Sequence, residues 1–348
     1  MTDLTNAWLQ FLSQHGAQLH SGADGLPGVA GFADEEVAPS SWVTPLTDLG
    51  LIGASGEEAA HFLHNQLTND VEHLGETEAR LAGYCSPKGR LLATLLMWKS
   101  PEAIVLQVSR DVQAMVQKRL QMFVLRAKVK LADLSDSHVA LGLSGPEAGA
   151  ALSAWFPALP AAPWQKIDGP AGTLIRVADA FGAPRYQWIC DTASAIANWA
   201  ALTRSLAAVG PAIWRRGEIH AGLPRITKAT QEQFVPQMLN FEVVGGVNFK
   251  KGCYPGQEVV ARSQYLGKLK RRMMPASVAA EAAAGMEVFS AADPEQPCGM
   301  IVNTERNVEG GSDCLVELKL SALEEGTILL GSAQGPALQI GTLPYALP

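Results

Sequence analysis

Residues 248–262 read Asn-Phe-Lys-Lys-Gly-Cys-Tyr-Pro-Gly-Gln-Glu-Val-Val-Ala-Arg and hold a thiol in a setting suited to chemistry. Cys253 follows Lys250, Lys251 and Gly252. Neighbouring ammonium groups favour the thiolate, the form that attacks electrophiles and binds soft metals. Pro255 and Gly256 force a turn, and glycines at 252 and 256 permit positive φ and close approach of a ligand to the backbone. The cysteine is therefore expected on a tight, exposed loop. Gln257 and Glu258 follow at once, with groups able to cap the next element or to hydrogen-bond the loop or a ligand. From Lys250 to Arg272 stand seven basic residues (250, 251, 262, 268, 270, 271 and 272) against one acid, Glu258. In a chain of net charge −7 this is a local basic patch, fit for an anionic ligand or partner.

Other candidate chemistry is sparse. His61 and His64, three apart on a helical pattern, make half a metal site without an identifiable third ligand. The five cysteines (85, 190, 253, 298, 314) are odd in number, widely spaced and lack a C-x-x-C pair. That argues against a disulfide framework and against a zinc or iron–sulfur site built from these cysteines alone. No Walker motif, G-x-G-x-x-G fingerprint, G-x-S-x-G elbow or H-E-x-x-H is present. Met1-Thr2-Asp3-Leu4 carries no secretory pattern, and no apolar run approaches 18 residues. A reducing, cytoplasmic setting without membrane contact is expected. The acidic balance argues against broad coating of nucleic acid, though not against a local RNA contact.

The elements that must position the loop are legible from period and punctuation. With 348 residues and 47% hydrophobic content, the chain is long enough for two or three domains. Residues 1–44 join a short helical pattern (Trp8, Leu9, Phe11, Leu12) to an irregular, Gly/Pro-rich arm. Leu46–Leu51 reads as a strand, and Ser55-Gly56-Glu57-Glu58 caps a helix with apolar face Ala59, Phe62, Leu63 and Leu67. Strands are expected over 80–86, 91–99 and 103–108, a helix over 110–123 and a strand over 129–134. A second α+β unit follows: strand 139–144, helix 146–155, strands 173–178 and 185–190, and helix 192–209, with 156–170 as a loop. From Met273 onward, short strands over 287–290, 298–303, 313–320, 327–330 and 337–340 with Gly/Pro turns favour a small β-barrel. The expected class is α+β: two α+β lobes and a C-terminal barrel.

Lys250–Arg262 resembles the signature K-G-C-Y-x-G-Q-E-x-x-A-R of the YgfZ family of folate-binding proteins. Upstream, Ile219-His220-Ala221-Gly222-Leu223-Pro224 and Gln233-Phe234-Val235-Pro236-Gln237 resemble the family's I-x-A-G-x-P and Q-F-x-P-Q. Downstream, Tyr265-Leu266-Gly267 and Arg271-Arg272 resemble its aromatic-x-G and basic close, and Leu343-Pro344-Tyr345 fits its end. Gln66-Leu67-Thr68-Asn69-Asp70-Val71 and Lys88-Gly89-Arg90 are similar to stretches shared with the glycine-cleavage T-protein, or aminomethyltransferase, superfamily. The resemblance implies two interleaved lobes, residues 1–50 with 136–226 and 51–135 with 227–270, plus a barrel over 271–348.

It further implies a site for tetrahydrofolate or a derivative. Trp214 falls at a folate-contacting tryptophan of the family, and an indole face beside Arg215 and Arg216 suits a flat ring bearing carboxylates. Lys250, Lys251, Gly252, Tyr254, Gln257, Glu258, Arg262 and His220 complete the implied ligand-binding set, with Cys253 as the reactive thiol. The family's second folate-contacting tryptophan falls at about Leu49, where no aromatic face is available. His220 stands where the T-protein has its pterin-reading glutamate, with Glu218 two residues away and, on a strand, on the same face. The T-protein's key aspartate falls near Ala93 or Thr94, where there is no carboxylate. The function implied is a folate-binding accessory protein supporting assembly or repair of iron–sulfur clusters in other enzymes, tRNA-modifying ones included. A folate-dependent transferase or demethylase and a tRNA-binding module are the alternatives.

Overall fold

The structure, a computed structural model, describes residues 3–22, 25–34, 39–265 and 269–348. The chain divides into two compact units, each assembled from separate stretches. The first takes Met1–Phe62, Glu72–Arg80 and Leu96–Trp214; the second takes Leu63–Val71, Leu81–Leu95 and Arg215–Pro348. No described helix is long and apolar enough to cross a membrane.

In the first unit a six-stranded sheet runs in the order Lys166–Gly169, Gly172–Ala180, Ala183–Asp191, His138–Ser144, Trp42–Pro45, Ala207–Ala208. Side chains alternate across it. Tyr186, Trp188 and Cys190 join Val139, Leu141 and Leu143 in a core shared with Trp8 and Leu12 of helix Asp3–Gln14 and Trp199 and Leu202 of helix Thr192–Leu202. Asp191 caps the latter helix, its carboxylate accepting from Ser194 N at 2.9 Å. Beside this sheet in sequence, strands Leu49–Ser55, Ile104–Ser109 and Lys130–Asp133 pair antiparallel. Helix Arg110–Val124 buries Val112, Val116, Leu120 and Val124, the four-residue spacing of one helical stripe.

The second unit carries the C-terminal sheet: Ile328–Leu330, Glu287–Ser290, Asp293–Arg306, Ser312–Lys319, Arg271–Val278, Gln339–Ile340. The last stretch also closes it. Leu338 N donates to Ile328 O and Leu330 N to Pro336 O, while Ile340 pairs with Ala276. Val278, Val288, Ile301, Val316, Leu318 and Leu330 fill the interior. The expected α+β class with a terminal barrel is thus the observed one.

Five expectations need correction. The Gly/Pro-rich arm expected to be irregular contains the strand Pro27–Phe32, paired antiparallel with Ala17–Ser21. Ala212–His220 is a helix, so Glu218 and His220 do not share a strand face. With only Ile213 and Ile219 β-branched, nothing in that stretch favours an extended chain. The helix expected over 192–209 ends at Leu202, and Ala207–Ala208 pairs parallel with Trp42–Val43. The loop expected over 156–170 contains the strand Lys166–Gly169. Strand Arg271–Val278 went unread because Pro275 sits inside it, and proline ordinarily argues against a paired strand.

Candidate functional site

The Cys253 loop belongs to the second unit, and buried polar residues of Leu63–Val71 hold it in place. Thr68 is fully buried. Its hydroxyl donates to Gly246 O at 2.6 Å and accepts from Gly83 N at 2.7 Å, and its carbonyl accepts from Asn248 N at 2.9 Å. Asn69 Nδ2 donates to Leu81 O and Gly245 O, each at 2.7 Å. Asn248 Oδ1 in turn accepts from Lys250 N at 2.8 Å. Such bonds, made where water is excluded, contribute about 1 kcal/mol each, and breaking one costs more than that.

The two lysines divide their work. Lys250 is exposed, whereas Lys251 is buried. The Lys251 ammonium donates to the carbonyls of His64 and Leu67 and lies 5.0 Å from the centre of the Tyr254 ring. Burial pushes the Tyr254 hydroxyl well above its ordinary range, keeping it protonated. Gly252 and Cys253 are exposed between these anchors.

The turn after Cys253 interlocks with the Lys88-Gly89-Arg90 turn. Gly256 has φ +82°, and a Cβ there would stand 2.4 Å from Ser86 O and 2.6 Å from Gly89 N. Gly89, at φ +71°, would place its own Cβ 2.8 Å from Val259. Arg90 clamps the far side, donating to the carbonyls of Glu232 and Gln233. Helix Gln257–Tyr265 starts directly from this turn and rests on Gln237, whose Nε2 donates to Val260 O at 2.8 Å. Gln257 is half-buried, and Glu258 and Arg262 are exposed.

The basic patch is smaller than the sequence count. Arg271 pairs with Glu317, and Arg272, almost fully buried, pairs with Glu242. With Lys251 turned inward, the basic residues exposed to solvent are Lys250, Arg262 and Lys270. Lys268, with Leu266 and Gly267, lies outside the described residues.

The remaining implied residues are placed as follows. Trp214, in the first unit, is 1% exposed, packs edge-on against Trp42 and has the Arg185 guanidinium 4.7 Å from its ring centre. His220 is partly exposed, with Nε2 2.8 Å from Asp313 Oδ2, while Glu218 pairs with Arg225 at 2.5 Å. Ala93 is fully buried, and buried Thr94 accepts from Ile226 N at 3.0 Å. His61 bonds Glu72 and His64 bonds Asp70. Among the described residues no group of three or more His, Cys, Asp or Glu could hold a metal ion. The sequence reading missed the work of Thr68, Asn69 and Gln237. Their one signal is polarity inside motifs that fold into apolar surroundings.

Cys253 is the one exposed thiol; the other four are buried. Burial pushes Cys85 and Cys190 to about 12 and Cys314 to about 11, and raises Cys298 as well. Cys85, beside the Ser86–Gly89 turn, is thereby excluded as a ready nucleophile. Alkylation at neutral pH with peptide mapping should label Cys253 at least about tenfold faster than any other cysteine. Equal labelling of Cys85 would contradict this.

The profile described as "GCVT N-terminal domain" matches residues 36–168. The protein named tRNA-modifying protein YgfZ from Colwellia psychrerythraea is 32% identical over 68% of this chain and 71% of its own length. Its namesake from Edwardsiella ictaluri is 29% identical over 85% of this chain and 89% of its own. The crystal structure of glycine cleavage system aminomethyltransferase T from Bartonella henselae superposes with a TM-score of 0.79, covering 96% of each chain at 16% identity, a likeness of fold.

Proposed function

Because this chain belongs to the YgfZ family, we propose that it binds a reduced folate and supports assembly or repair of iron–sulfur clusters in other proteins, tRNA-modifying enzymes among them. The observation that carries this reading is the Cys253 loop. A single exposed thiol is held between a buried lysine anchor and two interlocked glycine turns, in a fold shared with an aminomethyltransferase. The names of the relatives point towards tRNA modification, and the fold points towards folate.

Tetrahydrofolate or a derivative fits the polar and charged residues around the Cys253 loop. Trp214, 1% exposed with Trp42 and Arg185 against its ring, offers no face to a ligand. Lys250, Arg262 and partly exposed His220 supply cationic or hydrogen-bonding groups for carboxylates and ring edges. Gly252, Tyr254, Gln257 and Glu258 shape the loop that carries the thiol. Folate when bound supplies a one-carbon carrier; the chain's own residues bind it, orient it and present Cys253.

Aminomethyl transfer of the T-protein kind is not part of this proposal. That chemistry relies on a carboxylate near the reacting nitrogen to hold charge or a proton in the transition state. Here the corresponding place offers Ala93 and Thr94, both buried and one already committed to Ile226 N. Incubation with tetrahydrofolate and an aminomethyl-lipoyl carrier protein should yield no methylenetetrahydrofolate above the uncatalysed background. Robust product would overturn the accessory reading and show that another carboxylate fills the gap.

The test of the proposal is a deletion strain assayed for iron–sulfur enzyme activity and complemented with the wild-type gene. Restored activity is expected, and its absence despite normal expression would contradict it.

A further inference from the structure

Helix Arg110–Val124 ends in an apolar point that no other part of the chain covers. Met122, Phe123 and Leu125 are exposed, Met122 at 67% and Leu125 at 86%. Single exposed apolar side chains need no account, but a cluster of large ones marks a contact surface. Leu125 also holds φ +43°, in the left-handed region that is costly for a residue with a Cβ. The turn that keeps it there is well bonded. Ala127 N donates to Val124 O at 2.7 Å, Lys128 N to Glu58 Oε2 at 2.7 Å, and Lys128 Nζ to Glu57 Oε2 at 2.8 Å. Charge around the point has one sign. Between residues 112 and 132 stand five basic residues (118, 119, 126, 128 and 130) and no acid. Lys128 is answered by Glu57, while Lys118, one turn before Met122, and Arg126, next to Leu125, are exposed.

The same unit carries a cleft of opposite character. It encloses about 440 Å³ between the six-stranded sheet and the strands Leu49–Ser55 and Ile104–Ser109, with Trp98, Val105 and Ile189 among its apolar walls. One lip is the turn over 100–103, where Ala103 O accepts from Ser100 N at 2.8 Å and from Ser100 Oγ at 3.0 Å. Glu102, Asp168 and Asp191 line the cleft and are exposed; among the described residues no lysine or arginine lines it. Buried Lys166 pairs with Asp168 from behind, so Glu102 and Asp191 supply the net charge. Hydrogen bonds from Ser194 Oγ and N hold the Asp191 carboxyl below its usual range, which keeps it ionised at neutral pH.

We propose that the tip of helix Arg110–Val124 docks, head to tail, in this cleft on a second copy of the chain. Leu125, with Phe123 behind it, enters against the apolar walls, and Arg126 meets Glu102 and Asp191 at the rim. The occupant is the chain itself because the cleft answers the tip in both respects, an apolar floor and a rim of opposite charge. Leu125, at 86% exposure, does not fill the cleft of its own copy. A cleft of this size takes side chains rather than a folded element, so the contact is small and exchanges readily. The net charge of −7 on each copy opposes close approach, and the local pairing of unlike charges offsets it at this contact. Each docked copy still has its own tip or cleft free, so assemblies grow with concentration instead of stopping at a pair. The inference is independent of folate and of Cys253.

The experiment is sedimentation equilibrium of the full chain at neutral pH from about 1 µM to about 1 mM, the range in which so small a contact is populated. The weight-average mass of the wild type should rise with concentration from the 36.9 kDa of one chain to more than twice that value. L125D, with a spoiled tip, and E102R, with a spoiled cleft, should each remain single chains throughout. Mixed in equal amounts, the two variants should form pairs and nothing larger, because L125D keeps its cleft and E102R keeps its tip. M122D takes the place of L125D if that variant does not fold. A wild type that stays a single chain over the whole range would overturn the proposal. So would a wild type that associates while the mixed variants do not, since its contact would then lie elsewhere. A wild type that stays single but sediments with phosphatidylglycerol vesicles, and loses that property in L125D, would give the tip to a lipid surface and also overturn it. The samples contain no folate, so the result stands apart from whether folate binds.

Discussion

Cys253→Ala should abolish complementation of the deletion strain while leaving the protein folded. The thiol is exposed, and alanine is compatible with the same backbone, so no packing is lost. Surface changes of this kind usually stay within about 0.5 kcal/mol, so the melting temperature should move by no more than about 2 °C. The functional effect should nonetheless be complete, because no other described cysteine is exposed and burial raises the pKa of each of the other four. Iron–sulfur enzyme activity in the strain and a thermal melt of the purified variant check the two halves. Full rescue by Cys253→Ala would remove the thiol from the function. Loss of rescue together with a large drop in melting temperature would mean that the residue is structural.

Gly256→Ala should have the opposite profile. Positive φ costs a non-glycine residue about 1–2 kcal/mol, and here the added methyl also meets backbone at 2.4 and 2.6 Å. Neither Ser86 O nor Gly89 N can move without opening the partner turn, where Ser86 N donates to Arg90 O and Gly89 N donates to Ser86 O. A loss of about 3 kcal/mol or more is expected. Helix Gln257–Tyr265 would separate from its turn, and the Cys253 loop would lose its geometry with it. At about 2–4 °C per kcal/mol, the melting temperature should fall by roughly 6–12 °C. Unchanged stability would mean that the two turns are not packed as described.

The fold was largely readable, and the reasons are local. Strands over 91–99, 104–109 and 287–290 are continuous or alternating apolar runs bounded by turn residues, and their bounds in sequence and structure nearly coincide. Strand Arg271–Val278 was hidden by Pro275, which tertiary pairing tolerates at that position. His220 ends a nine-residue helix without a strong apolar stripe, so the 3.6-residue period that marks a helix is weak there. At the site, the exposed Cys253 and the glycine turns were legible from residue type alone. The inward turn of Lys251 and the burial of Arg272 were not, because charge counted along a sequence carries no direction. His64 and Asp70 stood six residues apart with no motif to join them; only the end of helix Ala59–His64 brings them together.

The central claim is that this chain binds a reduced folate, and the most direct test is calorimetric titration of the purified protein with tetrahydrofolate under anaerobic conditions. One saturable site per chain is expected. Quenching of tryptophan fluorescence should accompany it, and affinity should fall several-fold when the exposed Lys250 and Arg262 are both replaced by Ala, as loss of about 1 kcal/mol of charge-assisted hydrogen bonding requires. Absence of saturable heat and of quenching with the intact wild type would contradict the account.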